Sequence, residues 1–413
     1  MARLRLLELL GSAAAVLVCS ACPSSPRQVA DEQASKEAVF FVSPASGAGG
    51  KGSSWADALD GLPSSLRRGA VYWLSAGDYG AYDFDDPESG ELGITLRKAT
   101  AAAHGTELGW SAELATGPAA FGPLRFERSR YTLDGAEPNG IRVVGESGAE
   151  ATVQIEGDHI ALRQLEIDGG FRKASGKQVA GSCNGVNVHG DDAELDRCEI
   201  HRIADDGLGV YGNRVRVLQS EIHDLDGCGT DGGCGPCYNG HSDGIELSGA
   251  SQVTLVGNLV YDVRSNAGLY MDDWSGSAVR ELEVRDNVFY TPDTGFAVYV
   301  QKVKGARFEN NVIWGKTQGS KYGGLSIGPG IEDLSMKNNV ILNINFSHMN
   351  VKYDPRRHGL DGNRFGMLHP DEYSAGPSDL VGDPGFARIP MSGADVAHRS
   401  KELTRADFEA SPR

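Results

Sequence analysis

Through the middle of the chain, apolar and polar residues alternate at period two in short runs broken by Gly, Asn and Asp. That pattern predicts half-buried strands joined by tight corners, with no helix between them. The runs also repeat. Aligned on a glycine, one set begins at Asn184-Gly-Val-Asn-Val, Asp206-Gly-Leu-Gly-Val, Asp243-Gly-Ile-Glu-Leu, Ala267-Gly-Leu-Tyr-Met, Thr294-Gly-Phe-Ala-Val and Gly323-Gly-Leu-Ser-Ile. A second set ends in Cys-Glu-Ile200, Ser-Glu-Ile222, Asn-Leu-Val260, Asn-Val-Phe289, Asn-Val-Ile313 and Asn-Val-Ile341, preceded by Leu-Glu-Ile167.

The fourth position of the second set (Leu165, Cys198, Ser220, Asn258, Asn287, Asn311, Asn339) recurs after 33, 22, 38, 29, 24 and 28 residues. Periods of this size mean a stacked-repeat architecture. Leucine-rich, ankyrin and tetratricopeptide repeats need a helix in each unit, which leaves a β-solenoid whose turns bury one another's apolar faces. The asparagines are expected to stack as an inward ladder, because a buried amide is tolerated only when it is paired.

These Gly-Ile-x-Val/Leu and Asn-Asn-Val-Ile repeats resemble the right-handed parallel β-helix family of pectate-lyase-like proteins, over roughly residues 140–345. The resemblance implies an all-β, single-domain solenoid, here with its helix over 121–345. It leaves the chemistry open, since one fold carries many sites.

Around this core the chain divides further. Residues 1–22, with Arg3, Arg5, an apolar run and Cys19-Ser-Ala-Cys22, read as a signal peptide; the ending resembles a bacterial lipoprotein signal with Cys22 as the acylated residue. Residues 23–37 form a polar tether. Residues 38–120 resemble the N-terminal cap and first strands of secreted β-helix proteins, 346–390 an exit and capping segment and 391–413 a charged tail. An exported protein is expected, bound to a membrane only through its lipid or secreted outright, and a monomer.

Charge narrows the partners. Lysine and arginine against acidic residues give 39 − 56 = −17, a poor match to nucleic acid, which needs a basic stripe. Cys228, Cys234 and Cys237 lie in an inserted corner, and in an exported chain they and Cys183 are disulfide candidates, with Cys198 a free buried thiol. Zinc on Cys228, Cys234, Cys237 and His241 and calcium on Asp224, Asp226 and Asp231 are minority alternatives, and no metal is assigned.

Strand alternation turns two columns outward: Asn187, Gly209, Glu246, Tyr270, Ala297, Ser326 and His189, Tyr211, Ser248, Asp272, Tyr299, Gly328. Ahead of the strands stand Asn184, Asp206 and Asp243. Stacking brings Asp206, Asp243, Glu246 and Asp272 toward one acidic patch, with Tyr211, His241, Tyr270, Tyr299 and Lys302 as substrate-binding residues. Paired carboxyls supply an acid and a base for glycoside hydrolysis, and tyrosines stack on sugars. The patch resembles that of β-helix polygalacturonases, with Asp205-Asp206 and Asp243 as nearest analogues, although the Gly-His-Gly and Arg-x-Lys elements of that family are not found in their usual order. The alternatives are a calcium-dependent polysaccharide lyase or uronate epimerase, using Lys302, Arg264 or His241 as base, and a non-catalytic glycan-binding solenoid. For Asp206 and Asp243 taken singly, Asp-Gly turn chemistry is the competing explanation. His201, His223, Tyr261, Tyr290 and Trp314 are read as corner stacking.

Overall fold

Each repeat forms one turn of a coil with three strands, and successive turns stack in register into parallel sheets of 12, 12 and 9 strands. The computed structural model describes residues 38–44, 49–174, 177–179, 181–225, 237, 241–272, 275–291, 295–315, 324–342, 360–361, 364–365 and 380–381. The signal peptide with Cys22, the tether, Cys228, Cys234, Asp226, Asp231 and the charged tail lie outside these residues. The core is one continuous apolar column running from Val42 to Ile341.

The second repeat set is two strands rather than one. Glu194–Asp196 belongs to the first sheet and Glu199–Ile203 to the second, and the chain bends between them at Arg197 and Cys198. In every copy the residue before the ladder position has a positive φ: Gln164, Arg197, Gln219, Gly257, Asp286, Asn310 and Asn338. The ladder therefore sits at a corner and still faces inward. Asn311 shows how it closes: its Nδ2 donates to Asn339 Oδ1 and to Val284 O, both at 2.9 Å, while its Oδ1 accepts the Asn287 N–H and Nδ2–H, both at 3.0 Å. Ser220 and Cys198 continue the column; the Cys198 backbone N–H donates to Ser220 Oγ (3.1 Å), and burial pushes the Cys198 thiol up to about 12.

The glycines heading the first strands at 207 and 244 are required by packing. At Gly207 a Cβ would lie 2.6 Å from Ile222 Cγ2, and at Gly244 it would run into Val260, both across the core in the second sheet. Because Gly244 and Ile245 thus both face inward, Asp243 and Glu246, three residues apart, both face outward. Neither Asp206 nor Asp243 has a left-handed backbone, and Asp243 begins the strand Asp243–Ser248, so Asp-Gly turn chemistry does not account for these two aspartates.

One expectation changes. The glycine alignment puts Tyr299 beside Asp272, but the strand Phe296–Val300 is set two residues further along, pairing Leu269 with Val298 and Tyr270 with Tyr299. A two-residue slip keeps every side chain on its own face, so alternation cannot detect it. Strands before and after 121–345 join the same sheets. Ala38–Val42, Ala70–Leu74, Ile94–Lys98 and Tyr131–Asp134 are successive rungs of the first sheet, and Met336 pairs with Leu360 and Ile341 with Phe365. The N-terminal rungs lack the asparagine ladder, which was the signal marking the others.

On the outer face of the second sheet His201 stacks on His223 and His223 on Tyr261, with centroids 5.3 and 4.8 Å apart. Glu166, Glu199 and Glu221 receive hydrogen bonds or ion pairs from these rings.

Candidate active site

The third sheet faces outward through one register column: Arg125, Gln154, Asn187, Gly209, Glu246, Tyr270, Tyr299 and Ser326. Beside its centre, where the second sheet turns into the third, four carboxyl groups converge. Asp243 is fully buried, and Asp206 and Glu246 are each 7% exposed. Asp205 is half-buried, yet its Oδ1 is shut off from solvent with no hydrogen-bond partner.

Backbone and amide groups fix these carboxyls in place. Asp206 Oδ1 accepts the Asp243 N–H at 2.7 Å, and the Asp206 N–H donates to Asn184 Oδ1 at 3.3 Å. Asn266 Nδ2 donates to both Asp243 oxygens, at 2.9 and 3.2 Å, and His241 Nδ1 lies 3.5 Å from Asp243 Oδ2. The Asp205 N–H donates to Cys183 O at 2.8 Å. Cys183 forms a disulfide with Cys237, linking the segments just before the Asn184 and Asp243 strands and stepping over the Asp206 rung. Phe171, Ala204 and the disulfide make a small apolar cluster next to Asp205.

Like charges crowded in a dry site hold protons that carboxyls elsewhere release. Burial, then the Glu246 charge, raises Asp205 to about 7. Burial, then the charges of Asp243, Asp205 and Glu246 and a hydrogen bond shared with Glu246, raises Asp206 well above the carboxylate range. Burial and the Glu246 charge raise Asp243 likewise, against the opposing Asn266 hydrogen bond. Such a group of carboxyls can hold one proton for donation while keeping another member ionised.

Aromatic rings flank the cluster. Tyr211 stacks on His189 (4.7 Å, 12°) and lies over Gly209, where a Cβ would be 2.8 Å from its hydroxyl. Tyr270 stacks on Tyr299 (5.2 Å, 27°), and His241 meets Tyr270 edge-on at 5.6 Å.

The structure thus brings together Asp206, Asp243, Glu246, Tyr211, His241 and Tyr270, with Tyr299 one rung on. Asp272 pairs with Ser248, two positions beyond the Glu246 column, and its side chain is outside the described residues. Lys302 occupies the corner that follows the Phe296–Val300 strand, three residues past Tyr299. Asp205, Asn184 and Asn266 complete the site. Asp205 carried a sequence signal as half of an acidic pair, whereas Asn266 carried none. Cys183 is bonded to one of the three cysteines of the insert, and because Cys237 is that partner it is not a zinc ligand. A separate trio, Glu166, Asp168 and His201, has metal-like spacing, but Arg142 and Arg202 already neutralise Asp168.

Residues 163–342 match the family model described as the right-handed β-helix region. Among solved structures, the chain is similar to pectate lyase Pel9A (TM-score 0.52, 13% identity, 92% of this chain and 88% of that one). It is also similar to the Dettilon tailspike protein (TM-score 0.47, 14% identity, 84% and 69%) and to a rhamnogalacturonan lyase (TM-score 0.42, 11% identity, 79% and 87%). No curated protein sequence matches the chain. At such identities the likeness concerns the fold alone.

Proposed function

The chain is a right-handed parallel β-helix of the pectate-lyase-like kind, and on that premise we propose that it is an exported, carbohydrate-active enzyme that hydrolyses glycosidic bonds at the Asp205, Asp206, Asp243 and Glu246 cluster. One observation carries this reading: four carboxyls share a nearly dry site, with raised proton affinity at Asp205, Asp206 and Asp243 and an Asp205 oxygen left without a partner.

Glycoside hydrolysis needs a carboxylic acid to protonate the leaving oxygen and a carboxylate to activate water or attack the sugar. Asp205 is the acid in this scheme: it titrates near neutrality, and its Oδ1 has no hydrogen-bond partner within the protein. Asp206 and Glu246 share a hydrogen bond. With one proton between them, the pair retains the negative charge that the second role requires. Asp243, clamped by Asn266, is one of the carboxyls whose charge raises Asp206. The Cys183–Cys237 disulfide supports export into an oxidising compartment, with Cys22 as the proposed anchor.

Product analysis on polysaccharides, with and without EDTA, tests the reading. New reducing ends without unsaturation, unaffected by EDTA, are expected. Unsaturated products that require calcium would indicate a lyase, and binding without turnover a glycan-binding solenoid.

A further inference from the structure

The floor of the site carries information about the charge of its ligand. From Gln154 to Ser326 the outward column steps through seven strands, six spacings of about 4.8 Å or roughly 29 Å. None of these seven residues is cationic. Arg125, which heads the same column one strand earlier, is paired with Glu127.

Two of its neutral members each keep a buried oxygen without a hydrogen-bond partner. Ser326 is only 1% exposed, yet its Oγ has no partner, and Gln154 Oε1 at the other end has none either. Buried polar atoms without partners are uncommon in native proteins and call for an explanation. Between the two ends lie the stacked Tyr270 and Tyr299 and the carboxyl cluster.

A sugar bearing a carboxylate would meet Glu246, Asp206 and Asp243 with no countercharge in this column. A hydroxyl-rich neutral sugar would satisfy Gln154 and Ser326 and lay a face on the tyrosines. We propose that the substrate of this site is an uncharged glycan lying along the third sheet, with Tyr270 and Tyr299 as its stacking platform and Gln154 and Ser326 as hydrogen-bonding groups at the two ends. This rests on the hydrolytic reading above.

Two measurements keep the proposals apart. Turnover is assayed on neutral glucans, galactans, mannans, xylans and fructans, and on polygalacturonate and alginate, each uronic polymer paired with its carboxyl-reduced counterpart. Binding is titrated with neutral and uronic oligosaccharides using the Asp206→Asn protein, so charge preference is read without turnover. Neutral ligands are expected to bind at least tenfold more tightly than uronic ones, and turnover to be confined to neutral or carboxyl-reduced polymers. Tyr270→Ala and Tyr299→Ala should raise KM about tenfold with kcat changed less than threefold. Hydrolysis confined to uronic polymers overturns the uncharged-glycan inference and leaves hydrolysis standing. Preferential neutral binding with no turnover by the wild-type protein overturns hydrolysis alone. Equal binding of both classes, or of neither, overturns the inference. If a tyrosine variant unfolds, judged by circular dichroism, the matching Phe variant, which keeps the ring, should hold KM within threefold.

Discussion

Two columns of buried polar groups run along the same coil and differ in how they are satisfied. At the corner between the first and second sheets, Asn258, Asn287, Asn311 and Asn339 each donate to a main-chain carbonyl or to the next amide, and the column closes on itself. At the approach to the third sheet, Asp205, Asp206, Asp243 and Glu246 repel one another, and an Asp205 oxygen stays unpaired. The first column holds the fold together. The second is held in place by that fold and by the disulfide, and an arrangement that raises proton affinity at a possible stability cost is what a chemical site needs.

The contrast can be broken from either side. The largest effect is expected at the acidic column. Asp206→Asn should lower kcat/KM by about 10³-fold while leaving unfolding stability equal or higher at pH 8; wild-type turnover would remove the cluster from catalysis. Next, Asn311→Ala strands the Asn287 donors and the Val284 carbonyl in the core and should lower stability by about 3 kcal/mol in denaturant titration, with kcat per folded molecule unchanged. A loss under about 1 kcal/mol would mean the ladder is not a support.

Effects of pH come third. Asp205 has a folded-state pKa raised from the ordinary value to about 7, so its contribution to stability is complete below about pH 4 and is lost as pH rises through 7. The protein should therefore be more stable at pH 5 than at pH 8, with Asp205 accounting for at most about 3 kcal/mol over that interval and Asp206 and Asp243 acting in the same direction. Asp205→Asn should flatten part of that slope, and wild-type activity should fall above about pH 7, where the acid loses its proton. Melting temperatures and pH–rate profiles check both.

Replacing both Cys183 and Cys237 by Ser should cost about 3 kcal/mol and, by wetting Asp205, move the alkaline limb of the pH profile to lower pH. An unmoved limb would limit the disulfide to a purely structural role. The smallest effect is expected at Cys198, where Asn would extend the ladder toward Leu162 O, which the thiol already approaches at 3.4 Å. A gain of up to about 1 kcal/mol with unchanged activity would sharpen the comparison.

The ladder was legible because its residues are local and periodic: Asn-Asn-Val-Ile states the corner, the inward amide and the returning strand in four positions. Asp243 and Glu246 were legible as polar residues on an otherwise structural template. Asn266, which clamps Asp243, was not, because nothing in Ser-Asn-Ala-Gly distinguishes it from an ordinary corner.

Alternation at period two decided which faces are buried, and the repeat length decided that turns stack, since both follow from short-range geometry along the chain. The sequence alone therefore determined the solenoid, its core and its inward asparagine column. Register and desolvation were decided only in three dimensions. A two-residue slip is invisible to alternation, so Tyr299 reached Tyr270 only once the strands paired. Likewise, Asp205 became a group titrating near neutrality only when residues from several turns of the coil excluded water around it.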